Sequence, residues 1–171
     1  MKLDAKELAA LALPGGIIIL IGYLMFKNRG GNTGGSLLGG KGNAISENEA
    51  IQYAQAAGFS GDSLSIVIGI AHAESSLKVN IIADNMADGT VKVRYQGDPK
   101  PDGVSSSDRG ILQINDRWHP EVSDTQAFDP ASAFIAGYAI SKQGTDFTPW
   151  STYKSGAYAR YAPAVDDSEV S

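Results

Sequence analysis

The run SLSIVIGIAHAESS, Ser63 to Ser76, sets the strongest constraint on the fold. Ile66, Val67, Ile68, Ile70 and Ala71 leave a helix here with few polar faces. A helix apolar nearly all round is stable only when other elements enclose it, so the rest of the domain has to wrap this one. Asp62 or Ser63 supplies its N-cap. Glu74 stands at its far end, where burial and the negative end of the helix dipole both disfavour a charge. Both effects raise the carboxyl pKa, which a general acid working near neutral pH requires. The other placement is a last-turn Glu turned towards water.

Elements to do the wrapping are legible on both sides. Ser46-Glu47-Asn48-Glu49 is a capping box opening a helix through Ala57, with Gly58 as its stop. NMADGTVKVRYQGD alternates Val91, Val93 and Tyr95 after an Asp88-Gly89 turn, the pattern of a small hairpin. Asp129-Pro130 starts a helix over DPASAFIAGYAISKQG that reaches Gly144. Thr148-Pro149 opens a last helical stretch, broken near Gly156. The predicted class is mainly α (α+β), with a small β-hairpin inserted after the central helix.

The stretch SSSDRGILQINDRW, Ser105 to Trp118, is too polar for a plain strand. Gln113 and Asn115 alternate with Ile111, Leu112 and Ile114. Amides lining a cleft can bond sugar hydroxyls and N-acetyl groups, and Trp118 offers a flat face to a sugar ring. Asp108 supplies a second carboxylate, and two carboxylates flanking such a cleft suit glycosidic bond cleavage. The bland alternatives are Asp108 as a turn cap, the two amides satisfying loop backbone, and Trp118 in the core.

These residues resemble the lysozyme-like superfamily. A buried helix ending in ESS followed by SSSDRGILQINDRW is similar to chicken-type lysozymes in the second stretch. FDPASAFIAGYAISKQGTDFTPWSTYKSGAYARY resembles the C-terminal half of lysozyme-like and lytic transglycosylase domains often carried by bacteriophages. The resemblance spans roughly Ser46 to Tyr161. It implies that Glu74 is the catalytic acid, Asp108 the second carboxylate, and Gln113, Asn115 and Trp118 cleft residues. Tyr153 resembles the aromatic that lytic transglycosylases place near the acid. The implied substrate is the glycan strand of peptidoglycan, cut between N-acetylmuramic acid and N-acetylglucosamine by hydrolysis or by closure of an anhydro ring. The other class left open is a membrane-anchored protein whose domain only binds glycan or serves a virion structure. The chain departs from chicken-type lysozymes in a longer connection to Asp108, carrying DPKPDGV, and in having no cysteine.

Ahead of the domain, LAALALPGGIIILIGYLMF runs without a charge from Leu8 to Phe26. As a helix it spans roughly 28 Å, about a bilayer core. Residues 1–27 are therefore expected to form a single transmembrane anchor, with the catalytic domain on the peptidoglycan side. The alternatives are a buried core helix and a cleavable signal peptide, though no A-x-A-like site follows the apolar run. The Gly-rich stretch 28–45 reads as a flexible tether with a reach of roughly 20–25 Å, 46–163 as the domain, and 164–171 as an acidic tail. A virion membrane or a host cell envelope is the expected setting.

Several chemistries are excluded. The net charge of −5 comes from a basic first segment and a markedly acidic remainder. An acidic domain repels polyphosphate, so nucleic acid is not an expected partner. The absence of cysteine removes thiol catalysis and cysteine-ligated zinc. His72 and His119 are isolated, Asp84, Asp88 and Gly89 lack calcium-loop spacing, and GGNTGGSLLGGKG lacks the GK[ST] ending of a phosphate loop. No metal and no cofactor is expected.

Overall fold

Helix α2, Gly61–Ser75, runs through the centre of the structure, a computed structural model that describes residues 42–164. Val67, Ile68, Ile70 and Ala71 on it are fully buried. Each large aliphatic side chain taken from water contributes roughly 1.5–3 kcal/mol. The helix starts earlier than the expected caps. Ser60 is the N-cap residue, its backbone N–H donating to the Ser63 hydroxyl at 3.1 Å, so Asp62 already lies in the first turn. There its charge complements the positive end of the dipole. Ser76 and Leu77, at φ 53° and 60°, turn the chain out of the helix.

Helix α1, Glu47–Ala57, opens with the expected capping box. Ser46 N–H donates to Glu49 Oε2 at 2.9 Å, and Glu49 N–H donates to Ser46 Oγ at 3.2 Å. Its inner face is Ala50, Ala54 and Ala57, small enough to pack close against the helix that begins after Asp129. That later helix is preceded by a short one, α3, Asp124–Phe128, which the hydrophobic pattern does not announce. Its signal is the capping box of Ser123 with Gln126. Helix α4, Pro130–Ile140, has Asp129 as N-cap, its carboxylate accepting from Ser132 N–H at 2.9 Å. It stops short of the expected Gly144, because Lys142, Gln143 and Gly144 all turn to positive φ. Helix α5, Ser151–Lys154, and a 3-10 turn, Ala157–Arg160, flank Gly156.

The expected hairpin is half of a larger sheet. Strands β1, Ile81–Met86, and β2, Val91–Tyr95, pair across the Asp88-Gly89 turn. β3, Val104–Arg109, and β4, Ile114–Asn115, extend them into an antiparallel sheet of order β2-β1-β3-β4. The sequence VSSSDR has little strand preference of its own, and pairing to β1 imposes the conformation. Behind the sheet, fully buried Asp84 accepts from Arg94 Nε at 2.6 Å and from the Ser107 hydroxyl at 2.6 Å.

Residues 43–45, assigned above to the tether, belong to the fold. Ile45 N–H donates to Leu77 O at 3.1 Å and Val79 N–H to Asn43 O at 2.8 Å. The anchor over 1–27, the tether from 28 to 41 and the tail from 165 onward lie outside the described residues. Among the described residues, no helix is long and apolar enough to cross a membrane.

After β3 the chain drives Ile111 and Leu112 into the core, both fully buried. Gly110 makes this entry possible: it sits at φ 69°, with the Ala127 carbonyl directly where a Cβ would project. Gly89 has a similar φ, 84°, but open space around it. Gly110→Ala should therefore cost at least about 3 kcal/mol, from left-handed strain plus displacement of backbone. Gly89→Ala should cost only about 1 kcal/mol, the left-handed penalty alone. Urea denaturation of the two variants beside the parent measures the difference, and equal losses would contradict this account of Gly110.

Candidate active site

A cleft of about 450 Å³ opens between the helices and the sheet. Glu74, Ile140, Pro149, Trp150 and Ser151 come to it from the helical side. Asn85, Ser106 and Asp108 reach it from β1 and β3, followed by Gln113, Ile114, Asn115, Trp118 and His119. Five of the six residues singled out in the sequence thus share one cavity.

Glu74 occupies the penultimate position of α2 and is half-buried. Its Oε1 accepts from the Thr152 hydroxyl at 2.7 Å, a contact between residues 78 apart in sequence. Burial pushes its pKa above the ordinary carboxylate range, hydrogen bonds from Thr152 pull it down, and the charge of Asp108 adds a smaller upward push. Burial wins. The carboxyl holds its proton to higher pH than a solvated Glu, and a neutral carboxyl facing a cleft can protonate a leaving oxygen.

Asp108 is fixed from both sides. Its Oδ1 accepts from Asn115 Nδ2 at 2.7 Å and its Oδ2 from Asn85 Nδ2 at 2.9 Å. The strand register explains the arrangement. Asp108 stands opposite Asn115 on β4, and Asn85 lies opposite Ser106 on β3, so all four share the cleft face of the sheet. Asp108 is therefore a strand residue with both oxygens held, and does not cap the GILQIN turn.

The two amides are more committed than the sequence suggests. Gln113, at φ 48°, spends its Nε2 on Gly110 O at 2.8 Å and Ile81 O at 3.4 Å. Asn115 Oδ1 accepts from the backbone N–H groups of Arg117 and Trp118, at 3.0 and 3.2 Å, which turns the chain and sets the indole. Trp118 itself is 73% exposed, with the Arg117 guanidinium 5.7 Å from its ring centre. The core tryptophan is Trp150 instead, its indole N–H donating to Leu112 O at 2.8 Å.

Tyr153 is not among the residues that line the cleft. It stacks on Tyr158 at 5.0 Å and leans on Phe147 at 5.6 Å. Adjacent residues on a helix point about 100° apart, so α5 turns Thr152 to Glu74 and Tyr153 into the aromatic cluster. Thr152, Asn85 and Ser106 escape a reading of the sequence. Asn85 and Ser106 become visible only once the register is known, and Thr152 carries no local signal. No group of three or more His, Asp or Glu side chains able to hold a metal occurs among the described residues. His72 pairs with Glu47 at 2.9 Å, and His119 with Glu121 at 3.1 Å.

No curated protein matches the chain, and no solved structure matches it. A family model described as a lysozyme-like domain matches residues 51–152. That range runs from the second turn-forming residues of α1 through the enclosing helices to Thr152, and contains Glu74, Asp108, Gln113, Asn115 and Trp118. With most of its length covered and its cleft inside the match, the chain belongs to the lysozyme-like domain family.

Proposed function

We propose that this protein is a muramidase that cuts the β-1,4 bond between N-acetylmuramic acid and N-acetylglucosamine in peptidoglycan. Membership of the lysozyme-like family supports a peptidoglycan-lytic enzyme in general. The observation that carries the finer reading is Glu74, half-buried with a raised pKa, in one cleft with a clamped Asp108.

In this reading Glu74 donates its proton to the glycosidic oxygen as the C1–O bond breaks. Asp108, oriented by two amides, attacks C1 or stabilises the positive charge that develops there. Water then adds its hydroxyl to C1, displacing the Asp108 carboxylate where it has bonded there, and gives its proton to Glu74, with retention of configuration. The exposed face of Trp118 receives a sugar ring, Gln113 shapes the floor, and Asn115 with Asn85 holds Asp108. Tyr153, turned into its aromatic cluster, drops out of the substrate-binding set. We assign the enzyme to a membrane-anchored phage lysin, with the domain on the peptidoglycan side. The uncharged run from Leu8 to Phe26 and the Gly-rich tether support that setting.

Turbidity clearing of purified cell walls tests the assignment. Glu74→Gln should lower the rate at least ~100-fold, the scale of losing a general acid. Equal clearing by parent and variant rejects it. Masses of the released muropeptides separate the mechanisms: hydrolysis leaves a reducing end, and an anhydro end one water lighter would replace Asp108 by the substrate's own N-acetyl group.

The raised pKa also has a stability consequence. Above the ordinary carboxylate range the native state binds more protons than the unfolded chain, so stability falls as pH rises through the folded pKa of Glu74. Glu74→Gln keeps the acceptor for Thr152 and removes that loss. The variant should melt higher than the parent at neutral pH, with the gap closing as pH falls below the ordinary carboxylate range. Thermal melts across that range check it.

Thr152→Val deletes one of the bonds that pull Glu74 down. The alkaline limb of kcat/KM should then move to higher pH, because the acid keeps its proton longer, while Thr152→Ser leaves the limb in place. A shift to lower pH in the Val variant would contradict the role given to this hydroxyl.

A further inference from the structure

The sheet face that floors the cleft continues beyond Asp108. In antiparallel pairing, residues directly opposite one another share a face. The register places Asn115, Asp108, Ala83 and Val93 in one row across β4, β3, β1 and β2. A second row holds Ser106, Asn85 and Val91. Asn115, Asp108, Ser106 and Asn85 line the cleft, so Val91 and Val93 stand on the same face, on the edge strand. They are 58% and 63% exposed. Thr would satisfy an edge strand equally well, and exposed valines on an edge invite unwanted pairing. The apolar surface here is unexplained by folding.

We propose that Val91 and Val93 form a shelf that takes the peptide stem of the muramic acid bound beside Asp108, an inference that rests on the muramidase reading above. Neighbouring strands lie about 4.8 Å apart, so Val93 is two strands, roughly 10 Å, from Asp108. The only side chain between them in the row is the methyl group of Ala83. A substituent leaving the sugar over β3 therefore meets no wall before the valines. Peptidoglycan carries such a substituent: a short alanine-containing peptide amide-linked to the lactyl ether of muramic acid. An extended chain covers about 3.3–3.6 Å per residue, so the lactyl group and the first two residues reach the shelf. Their methyl groups are the apolar ligands it fits.

Binding by the full chain in a Glu74→Gln background tests this without depending on turnover. The probes are insoluble cell walls with stems intact and the same glycan stripped of stems by an amidase. Val91→Thr with Val93→Thr keeps the β-branched shape and exchanges two methyl groups for hydroxyls. Affinity for stem-bearing walls should fall about fivefold, the scale of losing two methyl contacts that are only partly buried. Affinity for stripped glycan should not change. Melting curves matching those of the background confirm that the variant is folded. Equal loss on both probes, or no loss on either, overturns the shelf. So does sedimentation showing that the valines hold two copies of the chain together. The two readings fail separately: a Glu74 parent that clears no walls sinks the enzyme, whereas an unchanged preference for stems sinks the shelf.

Discussion

A helix with no polar side, α2, has to be surrounded, and the way it is surrounded places everything else. α1 presents three alanines towards this core, and Gly137 on α4 leaves room for Leu112, whose Cδ1 lies 2.5 Å from where a Cβ would project. The enclosure is complete from Val67 to Ala71, in the middle of α2, and opens again near its last turn. Glu74 stands at that opening, as the helix runs out at Ser75. One physical fact, the cost of leaving an apolar helix in water, thus accounts for both the core and the location of an ionisable group at its edge. The partial burial that lifts the pKa of Glu74 is the same burial that stabilises the fold.

The two carboxyl groups of the cleft sit in opposed surroundings. Glu74 is half-buried on the helical side of the cleft and accepts a hydrogen bond from Thr152. Asp108 lies on a polar sheet face between two amide donors. Environments that differ in this way give chemically similar groups different tasks. Thr152 works against the effect of burial. The 2.7 Å bond to Oε1 restrains the upward shift and fixes the orientation of the carboxyl at the cleft.

Much of this was legible in the sequence because local chemistry agreed with tertiary structure. The capping box at Ser46, Gly58, Asp129-Pro130 and the Asp88-Gly89 turn each act within a few residues and occur where the pattern put them. Glu74 was legible because an acidic residue closing an apolar run is conspicuous. What was missed depends on partners remote in the chain. β3 has no strand preference of its own and exists because β1 lies beside it. Asn85 gains its meaning from Asp108, 23 residues away. Tyr153 and Thr152 differ by one step of a helical turn, and no sequence signal decided which would face the acid. Extending the tether to residue 45 overlooked three residues whose pairing with the end of α2 is equally non-local.

β3 shows how one short segment serves stability and chemistry together. Strand alternation sends Ser107 and Arg109 to one side and Ser106 and Asp108 to the other. On the first side Arg94 neutralises buried Asp84 while the Ser107 hydroxyl donates to it, and Arg109 Nη1 reaches Asp124 at 2.7 Å at the start of α3. These bonds fix the height and tilt of the strand. The opposite side adds only the amide bonds to Asp108 and Ser106, so those two residues can be polar and cleft-facing. A one-residue slip would put Asp108 against Asp84 and aim an arginine into the cavity. The buried Asp84 network therefore acts as the register lock of the cleft, and the cleft-facing carboxylate of Asp108 depends on one buried behind the sheet.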